Sequence, residues 1–380
     1  MKLRGFTKSK LFAILLALFT TTLMSCEDFF EYEGDCEPKH KIRFVYDMNL
    51  KWADAFASEV HSVNLYVFDE NGKYVKVYKD HGEALAQPNY EIDLDLPTNK
   101  AYTFVAWCGL YNEGAKEESF SVTEPVVGET TLDEFICTMN TLKTPPTKAD
   151  GDEAPMEYSD SQLYFLYHGM LQNEMLEDNH DGRTYIHTVY LTKDTNHIRI
   201  ILQELSDDGI KDPKDFDISI TNSDGVMAWD NNLLGNTVID FSPWAQFTDM
   251  LGVGSIDTDD KGEPVVTNKP GLIADLSVGR MMEYQKDTMQ LLITNKEGGL
   301  VAKVPIIQYF VLQKEYYETA YHHTMDDQEY LDRQDEYVVT FFLQGGKWIA
   351  AEIKIEDWRV VIHNYDLGDN NLYSENHPLE

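Results

Sequence analysis

Apolar and polar residues alternate along most of this chain with a period of two. The runs 42–46 (IRFVY), 63–68 (VNLYVF), 74–78 (YVKVY), 90–96 (YEIDLDL) and 101–107 (AYTFVAW) are rich in β-branched and aromatic residues, and turn formers separate them. That combination predicts strands. It returns at 197–202 (HIRIIL), 216–220 (FDISI), 289–294 (MQLLIT), 300–305 (LVAKVP), 337–343 (YVVTFFL), 348–355 (WIAAEIKI) and 358–362 (WRVVI). Asn71-Gly72 supplies the positive φ of a tight hairpin, and Gly345-Gly346 does the same later, so the runs flanking each turn are neighbours. Residues 97–100 (PTNK) read as a third such turn, between 90–96 and 101–107. Short strands with frequent turns predict an all-β fold of antiparallel sandwiches and not βαβ units. No fixed-period repeat is visible, which excludes a solenoid or propeller.

Two segments break the alternation. Met48, Trp52 and Phe56 recur every four residues and predict one helix face, packed across an end of a sandwich. Trp52 there is either core or an aromatic ligand platform. Residues 142–159 lapse into TPPTKADGDEAP, which predicts a surface loop within the first unit, because 163–169 (LYFLYHG) still needs a sheet partner. The boundary then falls at 178–182 (DNHDG). The expected organisation is a leader over 1–25, one sandwich domain over 26–182 and a second over 183–380, lengths that suffice for two ordinary cores.

The leader expectation comes from order. Lys2, Arg4, Lys8 and Lys10 precede the apolar run 11–19 (LFAILLALF), as in a secretion signal, and that run is shorter than the roughly 20 residues a spanning helix needs. Leu23-Met-Ser-Cys26 then resembles a lipobox, so Cys26 is the expected lipid-attachment residue. Several acyl chains there hold a protein far more firmly than one, whose binding is only about 10⁴ M⁻¹.

Charge narrows the partners. The chain carries 31 Lys+Arg against 66 Asp+Glu, and loss of the four basic residues of the leader leaves 27 against 66. Such a surface repels phosphate backbones, which excludes nucleic acid, and repels anionic head groups, which leaves the lipid as the membrane contact. Glu27 and Asp28 resemble the acidic signal that sends lipoproteins to the cell surface in the Bacteroidetes group. With Cys26 acylated, Cys36, Cys108 and Cys137 allow at most one disulfide.

Catalytic signatures are absent: there is no nucleophile elbow, no phosphate-cradling glycine loop and no His-Glu-x-x-His. His322-His323 with Asp326 and Asp327 can be drawn as a metal site, but adjacent histidines on an extended chain face opposite ways, and a solvated loop is the plainer reading. Residues 257–262 (DTDDKG) begin like a calcium loop, yet Lys261 stands at a ligand position and Asn268 replaces the closing Glu. Paired carboxylates are too common here to identify a glycosidase dyad. The expectation is a protein with no enzyme activity, cofactor or metal.

The residues do resemble a family. Asp35-Cys36, then 42–49 (IRFVYDMN), 55–60 (AFASEV), 63–72 (VNLYVFDENG), 102–110 (YTFVAWCGL) and 347–361 (KWIAAEIKIEDWRVV) are similar, in that order and behind a lipobox, to the FimB-type fimbrial anchor lipoproteins of Bacteroidales, a fimbrillin-like family. The resemblance implies two tandem transthyretin-like sandwiches. It also implies an outer-membrane lipoprotein facing the cell exterior, which fixes a fimbria, limits its length and meets shaft or accessory subunits through donor-strand contacts. A surface glycan-binding lipoprotein of a polysaccharide-utilisation system is the alternative, with Trp229, Trp244 and Trp348 as its candidate platform. The partner pilin and the surface that meets it are not readable from the residues.

Overall fold

The computed structural model describes residues 39–363 except 141, 144–156, 179–181, 206–208, 236, 259–263 and 356–357, together with 375 and 376; side chains are described to residue 353, apart from 253–267. Cys26, Cys36 and the leader lie outside the described residues, as do most of 142–159 and the side chains of 257–262.

The chain is built of strands. Ser62–Phe68 pairs antiparallel with Tyr74–His81 across the 69–72 turn, where Gly72 has φ +70° and Asp69 Oδ1 accepts from the amides of Asn71 and Lys73. Its other edge pairs with Lys100–Cys108, which pairs in turn with Tyr167–Leu176, so the run near 163–169 finds its partner there. The two-residue strand Thr192–Lys193 completes this five-stranded sheet. Ser62–Phe68 is buried on both faces, with Val63, Leu65 and Val67 in one core and Tyr66 and Phe68 in another. A strand covered on both sides reads as a nearly continuous apolar run.

The turn at 97–100 does not join neighbours. Glu91–Asp93 belongs to a three-stranded sheet with Lys39–Val45 and Thr184–Tyr190, whereas Lys100–Cys108 lies in the five-stranded one. Ile92 sits opposite Ile42, while Phe104 and Ala106 reach the same core from the other layer. Crossing between layers packs both apolar runs against one core.

The second half holds a seven-stranded sheet in the order Ala245–Thr258, Pro264–Val278, Asn196–Glu204, Glu336–Gln344, Lys347–Ile355, Trp358–His363, Glu375–Asn376. Phe216–Asn222, Gln290–Asn295 and Leu300–Pro305 form a facing sheet with Ile239–Phe241 and Glu157–Ser159. Gly345 and Gly346, at φ +59° and +74°, make the tight turn expected between two of these strands. The described pairs are antiparallel with three exceptions, of which the longest is Asn196–Glu204 against Glu336–Gln344.

Pairing crosses residue 182, the expected boundary. Lys39–Val45 runs parallel to Thr184–Tyr190, Ile136–Met139 pairs with Val226–Ala228, and Glu157–Ser159 pairs with Ile239–Phe241. The larger core likewise draws Trp107, Phe120 and Phe135 together with Ile200, Met227 and Phe341.

Helix is misplaced by the sequence reading. At 48–56 the only helix is Phe56–Glu59, and Trp52 sits at φ +53°. Asn49 Nδ2 donates to the carbonyls of Tyr46 and Ala53, and Asp54 Oδ1 accepts from the amides of Tyr46 and Phe56. These local side-chain bonds replace the helical ladder. Real helices occur at Ile306–Val311, Lys314–Tyr321 and Asp327–Arg333.

Candidate functional site: an enclosed strand and a polar joint

The first described strand, Lys39–Val45, has a neighbour on each side: Thr184–Tyr190 pairs with it from Lys39↔Thr184 to Val45↔Tyr190, and Glu91–Asp93 covers the opposite edge. Ile42 and Phe44 point into the core, and the Phe44 ring stacks on Phe56 at 5.5 Å and Tyr90 at 6.3 Å. On the outer side Arg43 donates to Glu91 at 2.5 Å and Lys41 Nζ lies 3.2 Å from Asp93. His40 Nε2 donates to Glu177 O at 2.9 Å, and His187 Nδ1 lies 2.7 Å from Glu174. Side chains therefore clamp this strand at its start and along its ladder.

Where that strand ends, the chain's two halves meet around a cleft of about 580 Å³ lined by Tyr46, Glu59, Phe165, Lys193, Arg333 and Asp335. Lys193 is the centre: its side chain is 4% exposed, and Nζ donates to Glu59 at 2.8 Å and Asp335 at 2.6 Å while lying 4.2 Å from the Phe165 ring. Burial and the Asp335 and Glu59 charges push the Tyr46 hydroxyl up, so it stays protonated. Beside it, Arg333 stacks on Trp52 at 3.6 Å and donates to the Asp47 carbonyl.

Residues 193–196 (KDTN) are all buried and all polar. Asp194 accepts from Asn231 at 2.9 Å and lies 3.7 Å from Arg280, which forks onto Asp332. Burial pushes the Asp194 carboxyl up to about 7 against the pull of Arg280. Thr195 Oγ1 accepts from Leu166 N, and Asn196 donates to Gly279 O. Burial pushes the nearby His168 down to about 4, which keeps the imidazole neutral, and Nε2 donates to Trp229 O at 2.8 Å. Lys193 to Glu59, Thr195 to Leu166, His168 to Trp229 and Arg333 to Asp47 tie one half of the chain to the other, so this cluster fixes geometry.

The other sequence candidates are scattered. Cys108 and Cys137 are buried free thiols, both pushed up by burial. Trp52 is neither open platform nor helix face: Arg333 covers it, and His323 meets it edge-on at 4.4 Å. Asp326 caps the helix Asp327–Arg333, and Asp327 pairs with Lys314, so both carboxylates have structural work. Among the described residues no three metal-binding side chains converge. Trp348 packs on Phe341, Trp229 rests against the larger core, and Trp244 is open to solvent. The three do not form one platform. Lys193 escaped the sequence reading because KDTN looks like an exposed turn, and nothing in its spacing signals burial.

The family model described as fimbrillin-A associated anchor proteins Mfa1 and Mfa2 matches residues 32–364. Among solved structures, a protein of Bacteroides thetaiotaomicron described as an adhesin is 31% identical, with 84% of this chain and 96% of that one covered at a TM-score of 0.64. Another from the same organism, described as polysaccharide-binding, is 27% identical, with 87% and 99% covered at 0.64. The fimbrial anchor protein Mfa2 of Porphyromonas gingivalis shares the fold at 14% identity, with 86% and 99% covered at 0.55. No curated protein matches the chain.

Proposed function

Because this chain belongs to the family of fimbrillin-A associated anchor proteins, which places it with fimbriae at the cell surface, we propose that it is the lipid-held base of a fimbria and ends the filament's growth. The enclosure of Lys39–Val45 carries this reading. In growth by donor strands, a subunit accepts its neighbour where one of its own strands has been vacated. Here the strand is present, paired on both edges and buried through Ile42 and Phe44, so the chain offers no vacancy there for a further subunit. It joins the filament at one place and extends it no further.

Lipid at Cys26 fits the same geometry. The strand begins 13 residues after that cysteine, so removing the strand by proteolysis would cut the body of the protein from its anchor. Cys26→Ser should abolish incorporation of labelled palmitate and leave the protein soluble or as an uncleaved precursor. Deleting the gene should give fimbriae that are longer or shed into the medium. Filaments of unchanged length and attachment in the deletion strain would overturn the proposal.

A further inference from the structure

We infer that the free edge of Ala245–Thr258 is the surface that receives an extended strand of the adjoining fimbrial subunit, which adds to the seven-stranded sheet. This rests on the anchor reading and names its contact.

The edges of the described sheets are guarded in different ways. Glu91–Asp93, Glu157–Ser159, Phe120–Val122 and Val226–Ala228 are three residues long, and Thr192–Lys193 and Glu375–Asn376 are two. Tyr74–His81 carries Lys76 and Lys79, and its first residue is bonded to Gly128 and Thr130. Leu300–Pro305 carries Lys303 and ends in proline. Thr184–Tyr190 lies against Tyr167–Leu176 so closely that a Cβ on Gly169 would come within 2.5 Å of Tyr190 O. Lysine, proline, shortness and coverage are the usual protections of an edge. Ala245–Thr258 is 14 residues long and carries neither lysine nor proline; Pro213–Asp215 lies against its start, where Gln246 Nε2 donates to the carbonyls of Pro213 and Phe216, and its register shifts between Gly254 and Thr258.

This strand also outruns its support. Pro264–Val278 pairs with Asn196–Glu204 only from Leu272 onward, so from Gly271 back to Pro264 its strand neighbour is Ala245–Thr258. A two-stranded ribbon is marginal by itself, and a third strand would complete it. Beside the edge, Trp244, Phe247 and Met250 are 36%, 41% and 58% exposed. Trp244 borders a cleft of about 310 Å³ shared with Arg199, Asp275, Glu336 and Val338, where Arg199 and Asp275 hold each other at 2.7 and 3.0 Å. Backbone bonds along such an edge, with exposed apolar side chains beside it, are the chemistry of strand addition.

Charge selects the occupant. A second copy would bring another formal charge of −35 to an edge that already carries the exposed Asp249. The strand that fits alternates apolar residues and places Lys or Arg near Asp249.

The test uses the full-length protein in cells that assemble fimbriae. A photo-crosslinking residue at position 247 should capture a fimbrial subunit, whereas one at Tyr284, also exposed, should not. Phe247→Lys with Met250→Lys should reduce cell-attached fimbriae by about tenfold or more, a loss of ~1.4 kcal/mol or more, with the melting temperature of the purified variant unchanged. Full attachment in the double variant, a crosslink to a second copy, or equal capture at both positions would overturn the assignment. If gene deletion releases filaments while the double variant retains them, the edge is wrong and the anchor stands. If deletion releases none, both fall.

Discussion

Lys39–Val45 and Ala245–Thr258 are both strands of this chain, yet one is closed and the other open. The first is central to its sheet, with Ile42 and Phe44 buried and charged residues tied to Glu91 and Asp93 on the outside. The second lies at the end of its sheet with large apolar side chains in solvent. A subunit that both accepts and donates needs an open place at each end. On the anchor reading proposed above, a terminating subunit needs one, and the open strand would supply it.

The largest expected effect breaks the closed strand. Phe44→Ala removes a ring stacked on Phe56 and Tyr90 and should cost about 3–5 kcal/mol, as for other buried aromatic truncations. Phe247→Ala on the open strand should cost under about 0.5 kcal/mol. Urea melts of the two variants check the comparison directly, and equal losses would mean that the strands do not differ as described.

Next in size is the joint that begins where the closed strand ends. Lys193→Met leaves Glu59 and Asp335 facing each other without their cation and should cost about 2–4 kcal/mol, at the lower side of buried-pair losses because those carboxylates are 29% and 26% exposed. Adding Glu59→Gln and Asp335→Asn should restore part of the loss in the same melts. If Lys193→Met is neutral, the joint is not held by this cluster.

A third effect depends on pH. Asp224 is fully buried, no Lys or Arg pairs with it among the described residues, and burial pushes its carboxyl up to about 7. Its unfolded value is about 3.9, so between those values the folded protein binds the extra proton, and stability falls as pH rises from about 4 through 7. Asp224→Asn mimics the protonated acid. It should melt like the parent at pH 4 and be more stable by about 1–3 kcal/mol at pH 8. An equal shift at both pH values would show that the carboxyl does not titrate in this range.

The strands were legible because alternation records a layer with a core on one side: 62–68, 100–108, 196–204 and 336–344 stand close to where the pattern places them. Topology was not, since the run 90–96 carries no mark saying that it crosses to another layer. The apparent helix at 48–56 failed because spacing ignores Asn49 and Asp54, whose side chains capture the backbone first. The real helices share a mixed segment in which Ile306, Ile307 and Phe310 do keep helical spacing. The closed strand was visible as IRFVY, but its closure was not: Thr184–Tyr190 lies 145 residues away in its register (184 minus 39) and pairs in parallel, which no local signal announces. The open edge has the same character, because an edge is a property of the sheet and not of the strand.

The smallest expected effect concerns a guarded edge and sharpens the contrast with the open one. Asp95 accepts from Lys76 at 2.6 Å and from the Tyr78 hydroxyl at 2.6 Å, so a separate segment is tied to the outer strand Tyr74–His81. The Lys76 bond first, and the Tyr78 bond after it, hold the Asp95 carboxyl down to about 2. A depressed carboxylate contributes its stability above the unfolded value of about 3.9 and loses it as pH falls through about 2. Asp95 is 75% exposed, so solvent screens the pair and Asp95→Asn should cost under about 1 kcal/mol at pH 7, less at ~1 M salt, and only a small remainder at pH 2. Hydrogen exchange should nonetheless quicken at the amides of Tyr74–His81 and leave Ala245–Gly252 unchanged, because Asp95 is tied to the first edge and not to the second. Unchanged exchange in both would mean that Tyr74–His81 is closed by its loop bonds to Gly128 and Thr130 alone.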